Sequence, residues 1–77
     1  MSGSHNRKKT PIRAEFGKKV REKRCSLNLT QEELAEKADL HHTYIGSVER
    51  GERNIALENI VAIAQALKCS SKDLMPG

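Results

Sequence analysis

The chain is nearly devoid of aromatic residues, with one Phe, one Tyr and no Trp among 77 residues. Ala, Leu, Ile and Val must therefore fill its core. That favours packed helices over a sheet, where aromatic and β-branched side chains pack best. Cysteine is scarce too: Cys25 and Cys69 lie far apart and form no CxxC pair. Metal and redox sites need clustered ligands, so both read as small apolar residues in a reducing compartment, and no metal is expected. The longest apolar run, Ile60 to Ala64, is far below the ~20 residues that cross a bilayer. With no signal-peptide pattern, the expectation is a soluble cytoplasmic protein without a membrane partner. Paired carboxylates, a nucleophile beside a base and a phosphate-binding Gly loop are all missing. So short a chain cannot enclose a substrate, which argues against an enzyme and against a cofactor or small-molecule ligand.

What the chain has in excess is positive charge, at +4 net. Residues 1–30 carry nine Lys and Arg against Glu15 and Glu22, whereas residues 31–77 carry five basic against eight acidic residues. A basic excess concentrated at one end points to a polyanionic partner, although many of these charges also serve to solvate helix faces.

One domain is expected, over residues 12–77, after a flexible polar tail at 1–11 in which Gly3-Ser4-His5 resembles a cloning remnant. Pro11 marks the boundary, because proline suits a first helical turn. Helix one is predicted over Ile12–Ser26, with Ile12, Phe16, Val20 and Arg24 on one side and Asn28 suited to its stop. Thr30-Gln31-Glu32-Glu33 is a capping box that opens helix two, Gln31–Ala38. Helix three is predicted from His42 to about Glu49, stopped by Gly51. Helix four is predicted over Leu57–Leu67, and Ser70-Ser71-Lys72-Asp73 opens a short fifth turn. Helix four carries apolar residues on two adjoining faces. Leu57, Ile60, Val61 and Ala64 are assigned to the core, and Ile63 and Leu67, with Leu74 and Met75 just beyond, to an isologous dimer interface. The alternative is that the fifth turn folds back over that second face.

Two short helices joined by a turn of three or four residues make a helix-turn-helix unit. The second of these, from His42, has few apolar residues and opens with His42, Thr43 and Tyr44. Such side chains suit a helix whose exposed end meets base edges and phosphates. Leu29-Thr30-Gln31-Glu32-Glu33-Leu34-Ala35, then Leu40, Tyr44-Ile45, Val48-Glu49-Arg50-Gly51 and Arg53-Asn54, resemble the Cro/C1-type helix-turn-helix family. His42-Thr43-Tyr44-Ile45 with Glu49-Arg50-Gly51-Glu52-Arg53-Asn54 is most similar to the controller proteins of restriction–modification systems. The resemblance spans about residues 12–75.

It implies an all-α, five-helix domain acting as a homodimer on double-stranded DNA, with the reading helix in the major groove of an inverted-repeat operator. Carried over by position, His42, Thr43 and Ser47 contact bases. Gln31, at the start of helix two, holds a phosphate and buttresses the reading helix, and Tyr44, Arg53 and Asn54 contact the backbone, with His41 and Arg50 beside them; Tyr44 could equally be a packing residue. The family also pairs Glu49 with a basic residue of helix one, here Arg24. Two positions depart from the pattern: Asp39 stands where the family has Gly, and His42 where many relatives have Arg or Gln. His41 and His42 are neighbours that diverge on a helix, which argues against a metal pair. An antitoxin of the same fold, whose main partner is a toxin, is the alternative function.

Overall fold

The computed structural model describes residues 10–76. The basic cluster Arg7-Lys8-Lys9, the Gly3-Ser4-His5 segment and most of the expected tail lie outside them. Five helices follow one another: α1 (Pro11–Ser26), α2 (Gln31–Ala38), α3 (His42–Glu49), α4 (Leu57–Ala66) and α5 (Ser71–Leu74). No strand occurs among the described residues.

The first two helices start for local reasons. Thr10 caps α1 by accepting from the Arg13 amide at 3.1 Å, and Pro11 occupies the first helical position, where its missing N–H costs nothing. Thr30 and Glu33 cap α2 reciprocally. The Thr30 hydroxyl accepts from the Glu33 amide at 3.0 Å, and the Glu33 carboxylate accepts from the Thr30 amide at 2.8 Å.

The stops of α1 to α4 share one geometry. After α2, the Leu40 amide donates to the Ala35 carbonyl and the Asp39 amide to Glu36, a Schellman pair centred on Asp39. Asn28, Gly51 and Lys68 occupy the equivalent position after α1, α3 and α4, and all four residues have positive φ: 59°, 59°, 76° and 58° for Asn28, Asp39, Gly51 and Lys68. The next residue turns back inward in three cases, since Leu29, Leu40 and Cys69 pack against the core. Burial there pushes the Cys69 thiol pKa up.

α2 packs on α3 and α4, α1 on α3 and α5, and α5 on α4. The core gathers Phe16 and Val20 from α1, Leu34, Ala35 and Ala38 from α2, and Ile45 and Val48 from α3. Ile60, Ile63, Ala64 and Leu67 join from α4 and its end, and Leu74 from α5. Ile12, placed with Phe16 and Val20 by its spacing, is instead 67% exposed at the first turn of α1.

The expected dimer interface needs correction. Ile63, Leu67 and Leu74 are buried within the chain, at 0%, 0% and 1% exposure, because α5 folds back over the end of α4. Of the four residues assigned to the interface, only Met75 is exposed. The inward stripe of α4 is Ile60, Ile63, Ala64 and Leu67, the i, i+3, i+4, i+7 spacing of a single helix face. Leu57 and Val61, expected in the core, point outward at 73% and 38% exposure. No described helix is long and apolar enough to cross a membrane.

Candidate nucleic-acid interface

Asp39, Leu40 and His41 separate α2 from α3. Asp39 takes φ 59° and ψ 44°, a left-handed conformation that its short side chain tolerates better than most. The turn therefore forms without the glycine that the resemblance led one to expect.

α3 is tied to α1 and α2 by a single carboxylate. Glu49 Oε2 accepts from Arg24 Nε at 2.6 Å, and Glu49 Oε1 accepts from Arg24 Nη2 and from Gln31 Nε2, each at 3.0 Å. Arg24 Nη1 also donates to the Leu29 carbonyl at 2.7 Å. Both charged side chains are largely out of water, at 13% and 3% exposure. The hydrogen bonds to Glu49 raise the Arg24 pKa above its ordinary value, although partial burial works the other way. Gln31 thus lies against α3, and its Oε1 would be 3.4 Å from a Cβ added at Gly46.

Opposite that node, the first turn of α3 faces solvent. His41, His42 and Thr43 are all exposed. His41 caps the helix: its Nδ1 accepts from the Thr43 amide at 3.2 Å and sits 2.7 Å from the Thr43 hydroxyl. The His41 and His42 rings stack, with centroids 4.6 Å apart and planes at 26°, so the two neighbours do not diverge as their sequence adjacency suggested: His41 is the cap before α3, not a residue of its regular turn.

Ser47 departs from its expected base-reading role. It is only 6% exposed; its hydroxyl donates to the Tyr44 carbonyl at 2.7 Å and accepts from Arg53 Nε at 3.0 Å. Three residues beyond Tyr44 on an α-helix, a serine hydroxyl readily bonds back to the preceding turn and leaves the surface. The side chain positioned by this bond is Arg53, whose guanidinium carbon also lies 5.4 Å from the centre of the Tyr44 ring. Tyr44 is half-buried against the core, and its hydroxyl accepts from Asn59 Nδ2 at 3.1 Å. It is therefore a packing residue in this structure, carrying Arg53 on its face.

Arg50, Arg53 and Asn54 are exposed around the far end of α3. Arg50 Nε pairs with Glu52 at 3.1 Å, both side chains well hydrated at 58% and 42% exposure, so the pair is held only weakly. Of the expected site residues, the fold thus leaves His41, His42 and Thr43 exposed at the start of α3 and Arg50, Arg53 and Asn54 exposed around its end. It withdraws Ser47 and assigns Tyr44 and Gln31 to supporting positions.

Two supporting residues had no role in the sequence reading. Asn59, on α4, holds the Tyr44 hydroxyl. Gly17, on α1, lies so close to the end of α3 that an added Cβ would fall 2.3 Å from the Val48 carbonyl oxygen. A lone glycine inside an otherwise strong helical pattern was the available signal.

A helix-turn-helix family model matches residues 20–74. The chain belongs to the helix-turn-helix family. Within that family it is 52% identical over 65 residues to the control protein C.BamHI of Bacillus amyloliquefaciens, covering 83% of this chain and 80% of the relative. Its fold matches the crystal structure of the restriction-modification controller protein C.AhdI from Aeromonas hydrophila, with a TM-score of 0.79 and 42% identity, over 80% of this chain and 94% of that one. A third helix-turn-helix protein, the P22 c2 repressor solved with a synthetic operator, aligns with a TM-score of 0.76 and 31% identity over 80% of this chain and 94% of that one.

Proposed function

We propose that this protein is a sequence-specific DNA-binding regulator that controls restriction–modification genes in the cytoplasm and acts as a homodimer on an inverted-repeat operator. The observation that carries this reading is the two-sided character of α3. Its inner side is fixed by Glu49, Ile45 and Val48, and its first turn offers His42 and Thr43 to solvent with Arg50 and Arg53 at the other end. The likeness to control proteins supports the gene class.

In this reading α3 enters the major groove by its first turn. His42 and Thr43 meet base edges. His41, Arg50, Arg53 and Asn54 meet phosphates, with Gln31 contributing its second amide hydrogen, and these contacts fix register and orientation. Arg53 arrives pre-oriented, since Ser47 holds its Nε and its guanidinium lies over the Tyr44 ring. Pairing two copies through the outward face of α4, where Leu57 and Val61 lie, sets their reading helices about 34–36 Å apart, one turn of duplex.

Selection of bound sites from random duplex DNA tests this. The expected product is an inverted repeat whose half-sites are one helical turn apart. Recovery of unenriched sequence, or of a single half-site bound as tightly as the repeat, would overturn the reading.

A further inference from the structure

His41 does more than cap α3. Resting on the reading that Thr43 faces the bases, we infer that His41 fixes which hydrogen-bonding groups Thr43 can recognise, making it a reader of exocyclic amino groups on adenine or cytosine.

His41 Nδ1 accepts the Thr43 amide hydrogen at 3.2 Å, so that nitrogen carries a lone pair and the ring proton resides on Nε2. The Thr43 hydroxyl oxygen lies 2.7 Å from the same nitrogen. The direction of that contact depends on the ring tautomer; in the Nε2–H tautomer that the amide contact calls for, Nδ1 can only accept, and the hydroxyl donates its proton into the lone pair it shares with the amide. What Thr43 then turns outward is an acceptor oxygen and a methyl group. In the major groove the matching donors are N6 of adenine and N4 of cytosine, whereas guanine O6 and N7 and thymine O4 are acceptors. A free threonine hydroxyl rotates to serve either kind of edge; this one is held in one sense by its neighbour.

The same ring stacks on His42 at 4.6 Å, so His41 also restricts the plane of the second reading side chain. His41 is thus a positioning residue for both.

Site selection with the wild type and three variants tests this, each variant first checked for native helix content. The wild type is expected to prefer A or C over G or T by about tenfold at one symmetric pair of positions, a ratio worth ~1.4 kcal/mol. Thr43→Val keeps the shape, removes the acceptor and should erase that preference. His41→Ala should reduce it to about twofold, because the hydroxyl is released to rotate. His41→Asn, whose side-chain oxygen accepts from the same two groups, should restore it. If Thr43→Val leaves every position unchanged, Thr43 does not face the bases and both readings fall. If Thr43→Val erases the preference but His41→Ala retains it, with affinity lowered evenly on all sequences, His41 is only a cap and this inference alone is overturned. A wild-type preference for G or T at the position lost in Thr43→Val overturns it as well.

Discussion

Gly17 and Val48 mark the place where α1 crosses the last turn of α3: a Cβ on Gly17 would lie 2.3 Å from the Val48 carbonyl oxygen and 2.7 Å from that of Glu49. Both obstacles are backbone atoms of a helix, which cannot rotate away as a side chain would. Gly17→Ala must therefore push the reading helix off α1. The gain in helix propensity, about 1 kcal/mol, is outweighed by overpacking of about 1–3 kcal/mol and by the displacement of Glu49 from Arg24. Urea denaturation followed by circular dichroism should show a lower midpoint with an unchanged slope. A midpoint at or above that of the wild type would show that the crossing is loose.

Arg24 and Glu49 should behave as a unit. Removing one partner leaves the other charge stranded largely out of water, at a cost of about 3–5 kcal/mol, much of the stability of so small a domain. Arg24→Met and Glu49→Gln are each expected to melt well below the wild type. The raised Arg24 pKa means its charge contribution is full at neutral pH and is lost only as strongly alkaline pH passes through that value. Replacing both partners with apolar residues should recover part of the loss. A double variant as unstable as the sum of the single ones would mean that the two side chains act independently.

The helix boundaries were legible because they are local chemistry. The Thr30–Glu33 box and the stops at Asn28, Asp39 and Gly51 use residue types with a direct reason to be there. Lys68 has none: it takes φ 58° because Ala64 and Gln65 receive the amides that follow, a consequence of where the chain must go next. Burial on α4 was misassigned for a related reason. Counting apolar residues gives two faces, but the positions of α2 and α5 against α4 decide that Ile63 and Leu67 lie inside while Val61 lies outside. At the site, types and spacing located the exposed turn of α3. They did not distinguish Ser47 as a bracket from Ser47 as a reader, because that depends on an arginine six residues later folding back onto it.

Lys68→Gly follows from that backbone. The Lys68 side chain is exposed, and no side-chain hydrogen bond ties it to another described residue. A left-handed residue with a Cβ costs about 1–2 kcal/mol, partly offset by the greater freedom glycine gives the unfolded chain. A net gain of about 0.5–1 kcal/mol is expected, seen as a higher thermal midpoint. A lower midpoint would place a stabilising contact on the lysine.

Ser47→Ala separates two roles for the same residue. If Ser47 holds Arg53, its loss lets the guanidinium wander, and affinity should fall about threefold to tenfold while the selected sequence stays the same. Arg53→Ala should cut affinity further and lower the slope of log affinity against log salt by about one per subunit. A changed base preference in Ser47→Ala would return Ser47 to the bases.

The face of α4 supplies the last test. Leu57 and Val61 lie one turn apart and are 73% and 38% exposed, whereas Ile63 and Leu67 are sealed beneath α5. A charge at Val61 should therefore split a dimer and leave the protomer folded, while the same charge at Ile63 should unfold it. Val61→Glu is expected to sediment as a monomer with native helix content. Its affinity for the inverted repeat should fall by about a hundredfold, since the second half-site no longer binds as part of one molecule. Affinity for a single half-site should be unchanged, because Val61 is remote from the α3 first turn in the chain and belongs to another helix. If Val61→Glu remains dimeric, the pairing surface lies elsewhere, and Met75, the one exposed member of the interface first assigned from the sequence, is the next position to charge.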